Sequence, residues 1–295
     1  MNILITGATG FVGKHLVAKL TEHKLTVLSR DINQAAKVLG NHHTFIEDIA
    51  QLNNLDNFDA VINLAGEPIV AKRWTKNQKI RICHSRWDIT QKLSQLIASS
   101  QRPPTAFISA SAIGYYGRQG QEPVDEHSQF HDEFSHQICQ KWEQLALEAD
   151  SSTTRVCIPR IGIVLGKNGG ALSKMLPPFK LGLGGPIGKG KQGMSWIHQD
   201  DLVALIIWML TTPTTRGIYN ATAPNPVSNA EFSSALGKAL NRPAKIIAPP
   251  LALRLAMGEM SELLTEGQYV LPTRALSEGF TFKFTDVNSA LAAIV

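Results

Sequence analysis

The sequence predicts an α/β fold: a Rossmann-type doubly wound parallel sheet with a smaller C-terminal substrate lobe. Three observations predict it. Short apolar runs alternate with helix-period patterns through the first half of the chain. The first run leads straight into Gly7-Ala8-Thr9-Gly10-Phe11-Val12-Gly13 and a helix. The alternation then stops after Arg160, where a Gly- and Pro-rich segment begins. Strands alternating with helices give a parallel sheet with right-handed crossovers.

In chain order, the predicted strands are 2–6, 25–29, 44–46, 60–64, 106–109 and 155–159, each a short apolar run. Helical spacing predicts 12–21, where Leu16, Val17 and Leu20 share one face, then 33–39, 76–99 and 134–149. The segment 166–193 holds Met175, Leu176, Phe179 and Leu181 among its glycines. It reads as a loop-rich piece packed over a cleft rather than as a linker. Helices are then expected at 200–210, 229–240, 250–264 and 287–294.

Composition narrows the function classes. Hydrophobic residues make up 43% of 295 and charged residues 18%, as in an ordinary globular protein. Lys and Arg exceed Asp and Glu by 29 to 24 without any basic run. Nucleic acid binding needs a basic patch or stripe, so none is expected; the excess reads as a solvated mixed-charge surface, and an anionic small ligand fits the balance as well. Cys83, Cys139 and Cys157 are widely spaced with no CxxC, which argues against disulfides and zinc. No metal is expected, and the expected compartment is the reducing cytoplasm. Apolar runs such as Ile3–Ile5 and Leu202–Leu210 are too short for a signal or a membrane span, so no membrane partner is expected.

The glycine loop carries the strongest chemistry. Gly7 permits the tight turn, Gly10 lets backbone approach a pyrophosphate, and Gly13 lets the helix pack close to the strand. Thr9, Phe11 and Val12 complete the loop at a helix N-terminus, whose free N–H groups and positive dipole end suit phosphates. The expected cofactor is therefore a nicotinamide dinucleotide. An acidic residue ending the second strand would hold the ribose 2′-hydroxyl of NAD. Here that strand ends in Ser29-Arg30, with Asp31 one place later. A guanidinium suits a 2′-phosphate, so NADP is expected. NAD is the alternative, with Asp31 turned inward. The predicted organisation is an NADP-binding domain at 1–162, to which 196–228 returns, and a substrate lobe at 163–195 and 229–295.

The glycine loop, Asn63-Leu64-Ala65-Gly66, "SASAIGYYG" from Ser109 and "WIHQDDL" from Trp196 together resemble the extended short-chain dehydrogenase/reductase superfamily. More narrowly, "AGEPIVAKRWT", "SRWDIT", "MLPPFKLGLGGPIGKGKQ" and "SNAEFSSALGKAL" are similar to its atypical YfcH-like branch, described as nucleoside-diphosphate-sugar epimerase-like. The resemblance implies that Leu64, Ala65 and Gly66 line the cofactor cleft, with Glu67 at its mouth and Ser109 at the end of the fifth strand. It implies that Ser85-Arg86, and Arg81 before them, lie on the helix over the cofactor. It also implies that Ile163 passes the nicotinamide. For Asp200 and Asp201 it implies a structural tie between lobe and core, Asp200 also being able to cap the following helix. For His198 a structural hydrogen bond is favoured over proton transfer.

The superfamily's Tyr-x-x-x-Lys pair is missing. Aligning Trp142-Glu143 with the downstream Glu of the superfamily puts Ser135 at the Tyr position and Cys139 at the Lys position. Serine is a poor acid at neutral pH, and cysteine brings no positive charge. Ser111 and Tyr115 are the substitute catalytic candidates, with Arg86 or Arg81 supplying charge. Tyr116 reads as the structural member of the Tyr-Gly turn. Three readings follow: an NADP(H)-binding oxidoreductase acting on a small polar or sugar-like molecule, a nucleotide-sugar epimerase, and an NADP-binding sensor that turns nothing over. The assembly is expected to be a monomer or a homodimer.

Overall fold

Apolar alternation in the short runs sorts side chains onto the two faces of one parallel sheet. The computed structural model describes residues 1–295. Its sheet is built on β1 (Asn2–Thr6), β2 (Lys24–Leu28), β3 (Thr44–Ile46), β4 (Ala60–Asn63), β5 (Ala106–Ser109), β6 (Arg155–Ile161) and β7 (Gly217–Ala221). The strand order is β7-β6-β5-β4-β1-β2-β3, parallel throughout, with Ser111–Ala112 adding a short eighth strand beside β6. The order reverses between β1 and β4. A crevice therefore opens outside their carboxyl ends, where ligands bind in open α/β sheets.

The helices are α1 (Phe11–Val17), α2 (Ile32–Leu39), α3 (Lys76–Ser99), α4 (Phe134–Leu147), α5 (Gly170–Lys180), α6 (Gln199–Thr211), α7 (Asn229–Ala239) and α8 (Pro250–Met257). Ile3, Ile5, Val27, Ile62 and Ile108 pack on one sheet face against Leu16 of α1 and Leu202, Leu205 and Ile206 of α6. Their strand neighbours Leu4, Val61, Phe107 and Val156 pack on the other face against Leu93, Leu96 and Ile97 of α3. A separate core joins Leu172 and Phe179 of α5, Phe232 and Leu236 of α7, and Val287 and Leu291 of the terminal helix Val287–Ala292.

Several elements differ from expectation. The first helix stops at Val17, and the residues to Leu20 continue as tight turns, Lys19 N–H bonding Leu16 and Leu20 N–H bonding Val17. β6 runs past Pro159 to Ile161. Its ladder to β5 spans Arg155–Cys157 and its ladder to Ser111–Ala112 resumes at Arg160, so Pro159, which has no N–H, falls in the gap. β7 was not expected: its polar Tyr219 and Asn220 hide a strand buried at a sheet edge. The expected helix 250–264 breaks at Gly258, whose φ of 66° ends α8 in the left-handed region. The glycine-rich segment does contain a helix, α5. No helix is long and apolar enough to cross a membrane.

Candidate functional site

β1 delivers the chain to Gly7 at φ 70°, and a Cβ there would lie 2.5 Å from the Leu64 backbone. Only glycine fits between these two strand ends. At Gly13 a Cβ would come within 2.3 Å of the Gly7 carbonyl oxygen, so α1 can start only where no side chain intervenes. Gly10 is different. It is exposed, and the nearest atom to a Cβ there is the Gly7 oxygen at 3.1 Å. That single tight contact is far milder than the clashes at Gly7 and Gly13, so the fold constrains Gly10 least of the three. The N-cap of α1 has no side-chain hydrogen bond, and the N–H groups of Phe11, Val12 and Gly13 donate to nothing in the protein. Thr9 is half-buried beside them.

At the end of β2, Asp31 is already committed. Its carboxylate accepts the Gln34 N–H at 2.8 Å and caps α2, as a short acidic side chain before a helix does. Ser29 Oγ donates to the Asp31 carbonyl at 3.1 Å. Arg30 is exposed, with no hydrogen bond and no ion pair to any residue. A basic side chain thus stands free where the nearest acid is occupied.

Beyond β4, Leu64, Ala65 and Gly66 cross the sheet end beside Gly7, and Glu67 follows. α3 holds this segment. Glu67 N–H donates to Ser85 Oγ at 2.9 Å, and Arg86 donates to the Glu67 carbonyl at 2.9 Å and the Ile82 carbonyl at 3.0 Å. The Arg86 guanidinium lies 5.3 Å from the Trp142 ring, and its burial lowers its pKa. Arg81 is exposed and bonded to neither Glu67 nor Ser85; the helix face toward the cleft is carried by Ser85 and Arg86 instead. Ser109 is fully buried, its hydroxyl accepting from Asn63 at 3.2 Å. Asn63 also binds Thr6 and Thr90, so Ser109 serves a polar tie beneath the cleft floor rather than standing open to it.

On the opposite side, Ser135 and Cys139 occupy the positions where Tyr and Lys are missing. Glu143 completes the same face of α4 at four-residue spacing. Both smaller residues are buried under Gly114: a Cβ there would sit 3.3 Å from Ser135 Cβ and 3.8 Å from Cys139 Sγ. Ser135 Oγ donates to Glu133 at 2.6 Å. Burial, with Glu143 adding to it, pushes the Cys139 thiol up to about 12, so it stays protonated and inert.

Glu143 and Arg160 anchor this side, and neither was expected to. Arg160, nearly fully buried at the end of β6, donates to Glu143 through two nitrogens at 2.9 and 2.8 Å. Burial works against the Arg160 charge, but Glu143 outweighs it and holds the guanidinium ionised. Ser111 Oγ donates to the same carboxylate at 2.6 Å. Arg160 reaches on to the Tyr116 hydroxyl at 3.0 Å, and Tyr116 donates to Asn220 of β7 at 2.8 Å. Tyr116, pushed up to about 12 by burial, is the structural tyrosine of the pair. Tyr115 is half-buried, its ring centred 3.4 Å from the Arg160 guanidinium carbon, and its hydroxyl is bonded to no residue. A signal for Arg160 was present: a charged residue ending a buried strand demands a partner, and Glu143 lay on the facing helix.

The lobe meets the glycine loop at Phe11. A Cβ at Gly169 would lie 2.3 Å from the Phe11 ring, and Gly166 and Gly170 approach it almost as closely. Gln199 donates to the Phe11 carbonyl at 2.8 Å. Ile163 begins a short strand paired in parallel with Trp196–His198, its N–H bonded to the Ser195 carbonyl at 2.8 Å. Asp201 accepts the N–H groups of Lys283 and Phe284 at 2.8 and 2.9 Å, tying the C-terminal segment to the core as expected. The cap of α6 is a correction: His198 accepts the Asp200 N–H, while Asp200 binds His15 at 2.8 Å.

A family model described as NAD dependent epimerase/dehydratase family matches residues 3–222, and a domain of unknown function, DUF1731, matches 248–294. The chain is 42% identical over 303 residues to the chloroplastic SDR39U1 homolog of Arabidopsis thaliana, covering 100% of this chain and 87% of that protein. It is 36% identical over 301 residues to human SDR39U1, covering 100% of both. The crystal structure of human SDR39U1 (isoform 2) with NADPH matches with a TM-score of 0.91 at 35% identity, over 100% of this chain and 99% of that one. The chain therefore belongs to the NAD dependent epimerase/dehydratase family and has its Rossmann-type α/β fold.

Proposed function

We propose that the chain binds NADP(H) outside the carboxyl ends of β1, β2 and β4 and acts as an oxidoreductase without a Tyr-x-x-x-Lys pair. Its substrate is a small polar or sugar-like molecule held between the Rossmann domain (1–162 with 196–228) and the lobe (163–195 and 229–295). The observation that carries this reading is the state of the β2 end: Asp31 caps α2, and Arg30 stands unpaired. The NADPH in the human relative's crystal structure supports the same cofactor.

The bound dinucleotide supplies a hydride donor or acceptor. The N–H groups of Phe11, Val12 and Gly13 bind its pyrophosphate, and Arg30 with Ser29 binds the 2′-phosphate. Leu64, Ala65, Gly66 and Glu67 wall the cleft, Arg86 positions that wall from behind, and the Ile163 backbone borders the far end. Tyr115 exchanges the proton with substrate, while Ser111, buried and spent on Glu143, holds its wall of the cleft in place. Cytoplasmic location and a monomer or homodimer belong to the same proposal.

Calorimetry of Arg30→Ala against wild type tests the reading. A charged hydrogen bond is worth about 1.5–3 kcal/mol, so NADPH affinity falls about ten- to hundredfold and NADH affinity barely moves. Equal NADPH affinity in the two proteins would remove Arg30 and the cofactor preference together. A second reading has its own observation: the Ser135 and Cys139 positions are sealed under Gly114, which favours a sensor that holds NADP without turnover. Isotope exchange from labelled NADPH into a panel of carbonyls separates the two.

A further inference from the structure

The basic excess of the chain is not evenly spread. Of 29 Lys and Arg, nine fall within residues 166–198 and 232–258, which contain no Asp or Glu at all. The other residues carry a net negative charge. None of these nine cations forms an ion pair, although acids elsewhere in the chain pair with Lys79, Arg160, Arg216 and Arg274.

The two segments lie side by side in the lobe. Ile246 N–H bonds the Gly184 carbonyl, Ala248 N–H bonds the Pro186 carbonyl, and Arg242 reaches the Lys180 carbonyl at 3.1 Å. Together they expose half of the large apolar side chains found bare on this molecule: Leu181 (74%), Leu183, Ile246, Ile247, Leu251 (68%) and Leu255 (73%). α8 carries Leu251 and Leu255 one turn apart and buries no residue of its own. Leu253 and Met257 of α8 are half-buried against the lobe, whereas Leu251 and Leu255 on another face of the helix are bare and gain nothing from this fold alone.

We propose that this face of the lobe docks on an anionic lipid bilayer, with α8 in the headgroup layer and Leu251 and Leu255 turned into it. Lys180, Arg242, Lys245 and Arg254 rim the apolar residues and complement a negative surface. A second copy is a poor fit, because a two-fold contact would set these unpaired cations against themselves. A folded protein partner wants a pocket for its anchors. Here the neighbouring cavity, lined by Lys189, Lys191 and Glu266, has a single apolar wall residue. The acids Glu259, Glu262 and Glu266 begin where α8 ends, and Glu259 is turned to Lys79. The expectation of no membrane partner rested on span length, and a peripheral face needs no span.

The test is co-sedimentation of the full chain with phosphatidylcholine vesicles, with and without phosphatidylglycerol. Binding is expected only with the anionic lipid, and it falls as salt rises. Leu251→Gln/Leu255→Gln lowers it at least tenfold. Arg242→Gln/Lys245→Gln lowers it by roughly fivefold per charge removed. Retained NADPH binding shows that both variants are folded. Sedimentation that needs no anionic lipid, or that the variants leave unchanged, overturns the proposal. Equally tight binding to soluble polyglutamate would assign the face to an acidic polymer. A dimer abolished by Leu251→Gln/Leu255→Gln would assign it to a second copy. Either result overturns it as well.

Discussion

The two sides of the cleft treat their polar groups in opposite ways. On the adenosine side, three consecutive backbone N–H groups and a guanidinium are left without partners. On the other side, Ser111, Glu143, Arg160, Tyr116 and Asn220 satisfy one another in one buried chain. Unpaired donors around a glycine loop mark a place where a ligand finishes the structure. A closed network marks a place where the structure is finished already. The Tyr115 hydroxyl is the group that this network leaves without a partner, which is why the proposed mechanism assigns it the proton.

The largest expected effect breaks the closed side. Glu143→Ala leaves Arg160 buried without its acid and should cost about 3–5 kcal/mol in urea unfolding. A loss under about 1 kcal/mol would mean that the network is not what holds α4 to β6. Next come two glycines on the open side that should separate cleanly. Gly13→Ala drives a Cβ into the Gly7 carbonyl and should destabilise by about 1–3 kcal/mol. Gly10→Ala meets only a marginal contact, so it should change stability by less than about 1 kcal/mol while weakening NADPH binding in calorimetry. If Gly10→Ala binds as wild type does, no pyrophosphate passes there. Smallest in stability is Tyr115→Phe. Its hydroxyl holds nothing, so thermal unfolding should shift by under about 0.5 kcal/mol. NADPH oxidation against a responsive carbonyl should slow by about 10²-fold or more, and an unchanged rate would release Tyr115 from the mechanism.

Sequence reasoning reached the open side better than the closed one, and for a physical reason. Gly7, Gly10 and Gly13 act through local geometry, which a strand–turn–helix context makes readable. Arg30 and Asp31 sit next to each other in the chain, so their roles reduce to which one caps a helix. The closed side depends on residues from α4, β6, β7 and the turn at Ile113–Tyr116, brought together only by the tertiary fold. Ser111 looked like a free hydroxyl because its acceptor lies on α4. Ser109 looks like a cleft residue in the sequence because Asn63, which donates to its hydroxyl, lies on another strand. Arg81 and Arg86 are close in sequence, but five residues apart on a helix they point in different directions. β7 escaped because its residues are polar enough to read as loop. The apolar pattern of 250–264 continues across Gly258, so the left-handed stop there is visible only in the backbone.

Phe11 is held like a ball in a cup whose rim is three glycines of the lobe. Position 169 and position 11 therefore cannot vary independently. Among descendants of this chain, a side chain gained at 169 has to be matched by a smaller residue at 11, or the two halves of the molecule part company at the point where the dinucleotide loop begins.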